Sequence, residues 1–194
     1  MGEFDEAISQ IRKLVEKDSN NFLWKLQLAI YLNAAGRSQD AIDQFSQVLR
    51  LDPGNPVAFR GRADAYLNAG RHAEAVEDYD RAMTALPEDS SLLNNFAWVL
   101  ATSPDDAVRD GKRAVKIGSK ACELTDHNQA HILSTLAAAY AETGDFESAR
   151  QWSKKAVDLS EEAMKSDLEK ELESYKKEKP WRERKEESEE DAQL

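Results

Sequence analysis

An all-α, right-handed solenoid of antiparallel helix pairs, closed by a C-terminal capping helix, is the fold this sequence predicts. Two observations carry that expectation. Gly2, Gly36 and Gly70 stand 34 residues apart, and Ala7, Ala41 and Ala75 repeat the interval five residues after each. Between these marks apolar residues recur at helical spacing. A fixed period of this length belongs to arrays whose units cannot bury their apolar faces alone, so the stacking of neighbours makes the core.

The elements follow in order from that phase. Residues 1–20 match only the second helix of a unit, with Gly2, Phe4, Ala7, Ile11 and Leu14 in register. The first helix of that unit is missing, so helix 4–17 exposes the face its partner would cover. The chain is therefore read as a fragment of a longer protein, the alternative being a natural start in which helix 4–17 is a cap. Residues 21–55 form the next unit through Ala29, Leu32, Gly36, Ala41, Phe45, Val48 and Pro53. In 56–89, Phe59, Ala63, Tyr66 and Leu67 make a first helix ended by Gly70. Ala75, Val76, Tyr79, Ala82 and Met83 make a second helix stopped near Pro87. Small Ala63 and Ala75 sit where two helices cross closely.

The unit 90–129 is irregular. Phe96, Ala97 and Leu100 keep the first helix, but Pro104 stands where the turn glycine belongs, and Ala114, Gly118 and Ala121 arrive five residues late. Ser103 reads as a turn and helix cap, with Asp105 and Asp106 suited to a first turn. The extra residues predict a wider loop or short extra turn, not a break in the stack. The pattern resumes in 130–160 with Leu133, Ala137, Tyr140, Gly144, Ala149 and Ala156. Ala163, Met164, Leu168, Leu172 and Tyr175 then mark an amphipathic helix, 161–179, that caps the last unit. After Pro180 an acidic tail, 180–194, lacks apolar periodicity and is expected to be disordered, with Trp181 docking back on the body.

At these positions the chain resembles the tetratricopeptide repeat family: a large residue, a small one, Tyr, a turn Gly, Ala, an aromatic, Ala and a closing Pro. The stretches NNFAWVLATSPDDAVRDGKRAV and TLAAAYAETGDFESARQWSKKAV, with a distant YKKEKPWRE, also resemble carboxy-terminal repeat blocks of large bacterial multidomain proteins. The family resemblance implies protein or peptide binding. Repeats of this type that hold the acidic end of heat-shock chaperones use a clamp of Lys and Asn, and at the matching places this chain has Leu26, Ile30 and Gly61. That clamp is absent, so co-chaperone activity of that kind is not expected.

Charge excludes further classes. The chain has 194 residues and a formal net charge of −11, and an acidic body repels the phosphate backbone, so nucleic acid is not an expected partner. No apolar run reaches the roughly 20 residues that span a bilayer, and the first ten residues lack the features of a signal peptide. With the single cysteine, Cys122, a reducing compartment and a cytoplasmic location are expected.

No phosphate-binding loop, dinucleotide fingerprint or zinc-protease motif is present in the sequence. Cys122, Asp126, His127 and His131 come closest to a metal cluster, but His127 falls in a loop ahead of the helix, so they read as ordinary polar groups. No catalytic residue, metal or cofactor is expected, and the chain is not expected to be an enzyme.

In such a stack the first helices make the concave wall. Their residues left over from the repeat pattern become the candidate groove. These are Leu23, Leu26, Gln27, Ile30 and Asn33; then Arg60, Asp64 and Asn68; then Asn94, Asn95, Trp98 and Thr102; and last His131, Ser134, Thr135, Ala138 and Glu142. Asparagine both donates and accepts, which suits an extended peptide backbone, and Trp98 offers a flat anchor. The expected centre is Arg60, Asn94, Asn95 and Trp98. The expected function is non-catalytic protein–protein interaction. The alternative is self-association, or docking of a neighbouring domain in the same chain, through the face of helix 4–17 or the cap.

Overall fold

The computed structural model describes residues 2–183, with side chains from Phe4 onward. The described residues form ten α-helices and no strand. Two compact units divide the chain, Met1–Leu86 and Pro87–Leu194.

The first unit holds α1 (Gly2–Lys17), α2 (Phe22–Ala34), α3 (Ser38–Leu51), α4 (Pro56–Asn68) and α5 (His72–Ala85). Its first helices start on asparagine. Asn21 Oδ1 accepts from the amides of Leu23 and Trp24, and Asn55 Oδ1 accepts from Ala58 at 2.9 Å, with Pro56 at the first helical position. They end on glycine. Gly36 and Gly70 take φ of 73° and 69°, which brings the Arg37 amide onto the Leu32 carbonyl and the Arg71 amide onto that of Tyr66. A side chain would be strained in that conformation, which is why the 34-residue interval is written in glycine.

Leu28, Ala29, Leu32, Ala41, Phe45 and Val48 form the centre of this unit, and α1 adds Ile8. Gly61 is a packing residue: a Cβ there would lie 2.3 Å from Cζ of Phe45. A polar clasp joins three helices. Arg62 donates from Nε and Nη2 to Asp78 at 2.6 and 2.9 Å, and from Nη1 to Ser46 Oγ at 3.0 Å. The hydrogen bonds Arg62 donates to Asp78 outweigh the opposing effect of burial and hold its pKa above the ordinary value.

The second unit holds α6 (Ser90–Thr102), α7 (Gly111–Leu124), α8 (Ala130–Glu142), α9 (Phe146–Leu159) and α10 (Glu162–Lys176). The five extra residues lie in the loop 103–110, as a turn without a helix. Ser103 does not cap a helix at Asp105 and Asp106; instead Asp105 Oδ1 accepts from the Ala107 amide at 2.9 Å and closes the turn. Asp110 is the cap, accepting from the Arg113 amide at 3.0 Å. The pattern after Gly144, at φ 83°, is regular again.

Two expectations about the C-terminal part are corrected. Ala163 and Met164 of α10 are exposed, and the stripe facing inward is Leu168, Glu171 and Tyr175. The helix is rotated so that Glu171 reaches Ser134 of α8, whose hydroxyl donates to it. Residues 181–183 lie against the body and not in a disordered tail, and the docking expected of Trp181 is present. Trp181 packs with Tyr140, Phe146 and Trp152 against a buried cluster of Ala137, Ala141, Ala149 and Tyr175, and Arg182 and Glu183 bond to α6. The expectation for residues 184–194 lies outside the described residues.

Candidate functional site

The residues expected to form one groove fall in both units, and each unit presents its own face. In the first, Asn68 Nδ2 donates to Asn33 Oδ1 at 3.1 Å, so these two are brought together. Arg60 and Asp64 stand 4.0 Å apart as an ion pair on α4. Asp64 has a second duty, accepting at 2.6 Å from the hydroxyl of Tyr79, which is fully buried and needs a partner. Leu26 is half-buried, while Ile30 is exposed beside Leu23 and Trp24. These four residues, with Asn21 and Gln27, line an apolar depression of about 210 Å³ along α2.

In the second unit Asn94 Nδ2 donates to Asn95 Oδ1 at 3.3 Å, and both asparagines are half-buried. His131 is exposed at the start of α8. Ser134, Thr135 and Ala138, expected to line an open groove, are buried instead. Ser134 lies under Glu171 of α10, because the capping helix covers part of the first-helix face as well as α9. Among the described residues no three His, Cys, Asp or Glu side chains gather in a way that could hold a metal ion. Cys122 is buried with its thiol pushed up to about 11, chiefly by desolvation. His127 stacks on Trp152 at 5.5 Å.

Trp98, Thr102 and Glu142 converge at the end of α6, and they are already in contact with a peptide segment, residues 181–183 of the same chain. The Trp98 indole N–H donates to the Glu183 carboxylate. The Glu183 amide donates to the Thr102 carbonyl at 3.0 Å. Arg182 Nη1 donates to the Ala101 carbonyl at 3.3 Å, and its Nη2 pairs with Glu142 Oε2, off the hydrogen-bonding axis.

Glu142 is held for this task from its other side. Arg109 Nε donates to Glu142 Oε1 at 3.0 Å, while Arg109 Nη1 donates to the Ser103 carbonyl at 2.7 Å. Burial disfavours the charge on Arg109, but Asp106 and Glu142 outweigh it, so its pKa is raised. The irregular loop therefore supplies the arginine that fixes Glu142. Arg109, Arg182 and Glu183 were not named as site residues because they lie outside the repeat pattern; the signals near them were the five-residue insertion and the expected docking of Trp181.

The descriptions Tetratricopeptide repeat match residues 1–56 and 26–90 with one family model and 129–167 with another, together about two thirds of the chain. The chain belongs to the tetratricopeptide repeat family. Curated relatives share short stretches of these repeats. A probable UDP-N-acetylglucosamine–peptide N-acetylglucosaminyltransferase, SPINDLY of Arabidopsis thaliana, is 33% identical over 82 residues, 42% of this chain and 9% of that protein. DnaJ homolog subfamily C member 3 of Gallus gallus is 27% identical over 95 residues, 47% and 19% of the two chains. This chain thus spans a small part of the length of the curated relatives it matches.

Among solved tetratricopeptide repeat structures, MamA from Desulfovibrio magneticus RS-1 superimposes with a TM-score of 0.71 at 20% identity, covering 81% of this chain and 86% of that one. YrrB, described as a TPR protein with an unusual peptide-binding site, gives 0.71 at 20% identity over 88% and 84%. At these identities the likeness is one of fold. Membership of the family makes the chain a protein–protein interaction module. No described helix is long and apolar enough to cross a membrane.

Proposed function

We propose that this chain is a non-catalytic binding module that holds an extended segment of a protein against the first helices of its repeats. The observation that carries this reading is the contact of residues 181–183 with α6. There an extended stretch of polypeptide gives a backbone N–H to the Thr102 carbonyl and side chains to Trp98 and Glu142. Recognition through main-chain bonds plus a few side-chain anchors is how repeat surfaces take peptides without chemistry. YrrB, named for its peptide-binding site, is consistent with that use of the fold. In the first unit Arg60, Asp64, Asn33 and Asn68 would offer the polar anchors, beside Leu26 and Ile30. Arg60→Ala in the first unit and Asn94→Ala in the second, made separately, test the reading in an affinity capture with the full chain as bait. Each weakens capture while keeping the melting temperature, and undiminished capture by either variant removes that residue from the binding face of its own unit.

A second reading is favoured by the apolar surface of the first unit. Phe4 on α1 and Leu23, Trp24 and Ile30 on α2 are each about 40–60% exposed. A patch of this kind suits a helix from another copy or from a neighbouring domain. Assembly through it makes the mass depend on concentration.

A further inference from the structure

We propose that the C-terminal end of α6, with Trp98 and Glu142, is a recognition site for an extended segment of a partner protein in which an arginine is followed by an acidic residue. The chain's own Trp181–Arg182–Glu183 occupies the site in cis as a competitor. This rests on the reading of the chain as a holder of extended segments, and names what that segment must carry.

The argument is an accounting of carbonyls. The last turn of any helix leaves C=O groups without intrahelical partners. In the regular repeats the glycine turn takes them at once: Ala35, Gly36 and Arg37 donate to Tyr31, Asn33 and Leu32, and Thr143, Gly144 and Asp145 close α8 in the same way. Each of those ends leaves only its last carbonyl, Ala34 in α2 and Glu142 in α8, without a backbone donor. At α6 the glycine is missing, Ser103 is extended at φ −47° and ψ 136°, and Pro104 has no N–H to give.

The Val99 carbonyl takes the Ser103 amide at 3.2 Å and the Leu100 carbonyl takes that of Asp110 at 2.9 Å. The carbonyls of Ala101 and Thr102 remain, and Arg182 and Glu183 take them from 81 residues away. The insertion has turned a self-closed helix end into an acceptor pair.

The surroundings dictate what fits. The negative end of the α6 dipole and the Glu142 carboxylate favour a cation. The two acceptors diverge, one at the Ala101 carbonyl and one at Glu142, so a planar guanidinium reaches both where a lysine ammonium on its single nitrogen does not. The next residue must have an N–H for Thr102, which excludes proline, and an acceptor side chain for the Trp98 indole, which an acidic residue supplies. Arg109, itself bonded to the Ser103 carbonyl, holds the other oxygen of Glu142, so the carboxylate is oriented independently of the segment that meets it.

The resident segment is a weak holder. Residues 181–183 are each only half-buried, and the segment is joined to α10 through Glu178 at φ 53° and Pro180. A tethered ligand of this sort lowers the apparent affinity for a competitor without blocking it.

The test uses full-length chains and a fluorescein-labelled peptide reproducing residues 178–187, read by fluorescence anisotropy. An Arg182→Ala chain, its cis ligand weakened, binds the peptide about tenfold more tightly than the native chain. Adding Glu142→Gln to it reverses the gain. Against the Arg182→Ala chain, a peptide with Ala or Lys at the place of Arg182 binds at least about tenfold more weakly than the native peptide; in this arm only the peptide varies. Equal binding by the Ala peptide overturns the arginine requirement and leaves the general segment-holding role intact. An Arg182→Ala chain that binds no tighter than the native one overturns the cis competition. No binding by any peptide to any chain overturns both readings.

Discussion

Glu171 is the residue whose chemistry departs furthest from its surface relatives. It lies on the inner face of α10, accepts from Ser134 and sits one turn before the buried Tyr175. Desolvation, with a smaller push from Asp167, drives its pKa from 4.5 to about 7, against the pull of the Ser134 bond. An acid whose pKa is higher in the folded state binds more protons folded than unfolded. Stability from this group is therefore full below pH 4.5 and falls as pH rises through 7. About 3 kcal/mol is the scale of the change, from about 1.4 kcal/mol per unit. Denaturant titrations at pH 5 and pH 8 should show that fall in the native chain and a flatter profile in Glu171→Gln. Equal slopes in the two chains would mean Glu171 is not buried as described. The pair Arg62 and Asp78 is a second residue-scale case. Asp78→Ala leaves the half-buried guanidinium of Arg62 without its two carboxylate bonds and should cost about 1.5–3 kcal/mol by the same titration. Neither pair was legible in the sequence. The apolar pattern of α10 put Ala163 and Met164 inward, and nothing in a 34-residue period singles out a buried carboxylate.

Among the elements, glycine explains both what the sequence reveals and what it hides. Gly36, Gly70 and Gly144 take positive φ and announce the turns, so the first and second helices of each regular repeat were legible from their spacing alone. Gly61 is different: it lies within α4 at an ordinary φ, and its need is space for Phe45. Sequence comparison placed it at a ligand-clamp position, whereas its Cα faces the core of the first unit. Gly61→Ala should lose about 1–3 kcal/mol through overpacking, despite the better helix propensity of alanine. Phe45→Leu in the same chain should recover part of that loss, and a double variant no better than the sum of the singles would deny the contact. The loop 103–110 marks the limit of pattern reading. Its length was visible as a five-residue delay, but the Arg109 bonds to Glu142 and Ser103 span 33 and 6 residues and follow no repeat.

For the molecule as a whole, membership of the tetratricopeptide repeat family directs function to surfaces. Of the residues expected to bind, Trp98, Thr102 and Glu142 meet a peptide segment, Asn33 and Asn68 meet each other, and Ser134, Thr135 and Ala138 are buried. The first-helix rule named Trp98, Thr102 and Glu142 without indicating that Arg182 and Glu183, next to the Trp181 expected to dock, would lie on them. Light scattering across a hundredfold dilution should return the mass of one 21.8 kDa chain throughout; a mass that rises with concentration would favour assembly through Phe4, Leu23, Trp24 and Ile30. The central claim is that the end of α6 holds an extended segment that a partner can replace, and the amide of Glu183 reports on it directly. Its hydrogen-exchange rate, measured by NMR on the full chain, should be slowed by the Thr102 carbonyl in the free protein and rise on saturation with the residue 178–187 peptide. A Glu183 amide that exchanges at the unprotected rate in the free chain, or stays protected while the peptide is bound, would contradict the account.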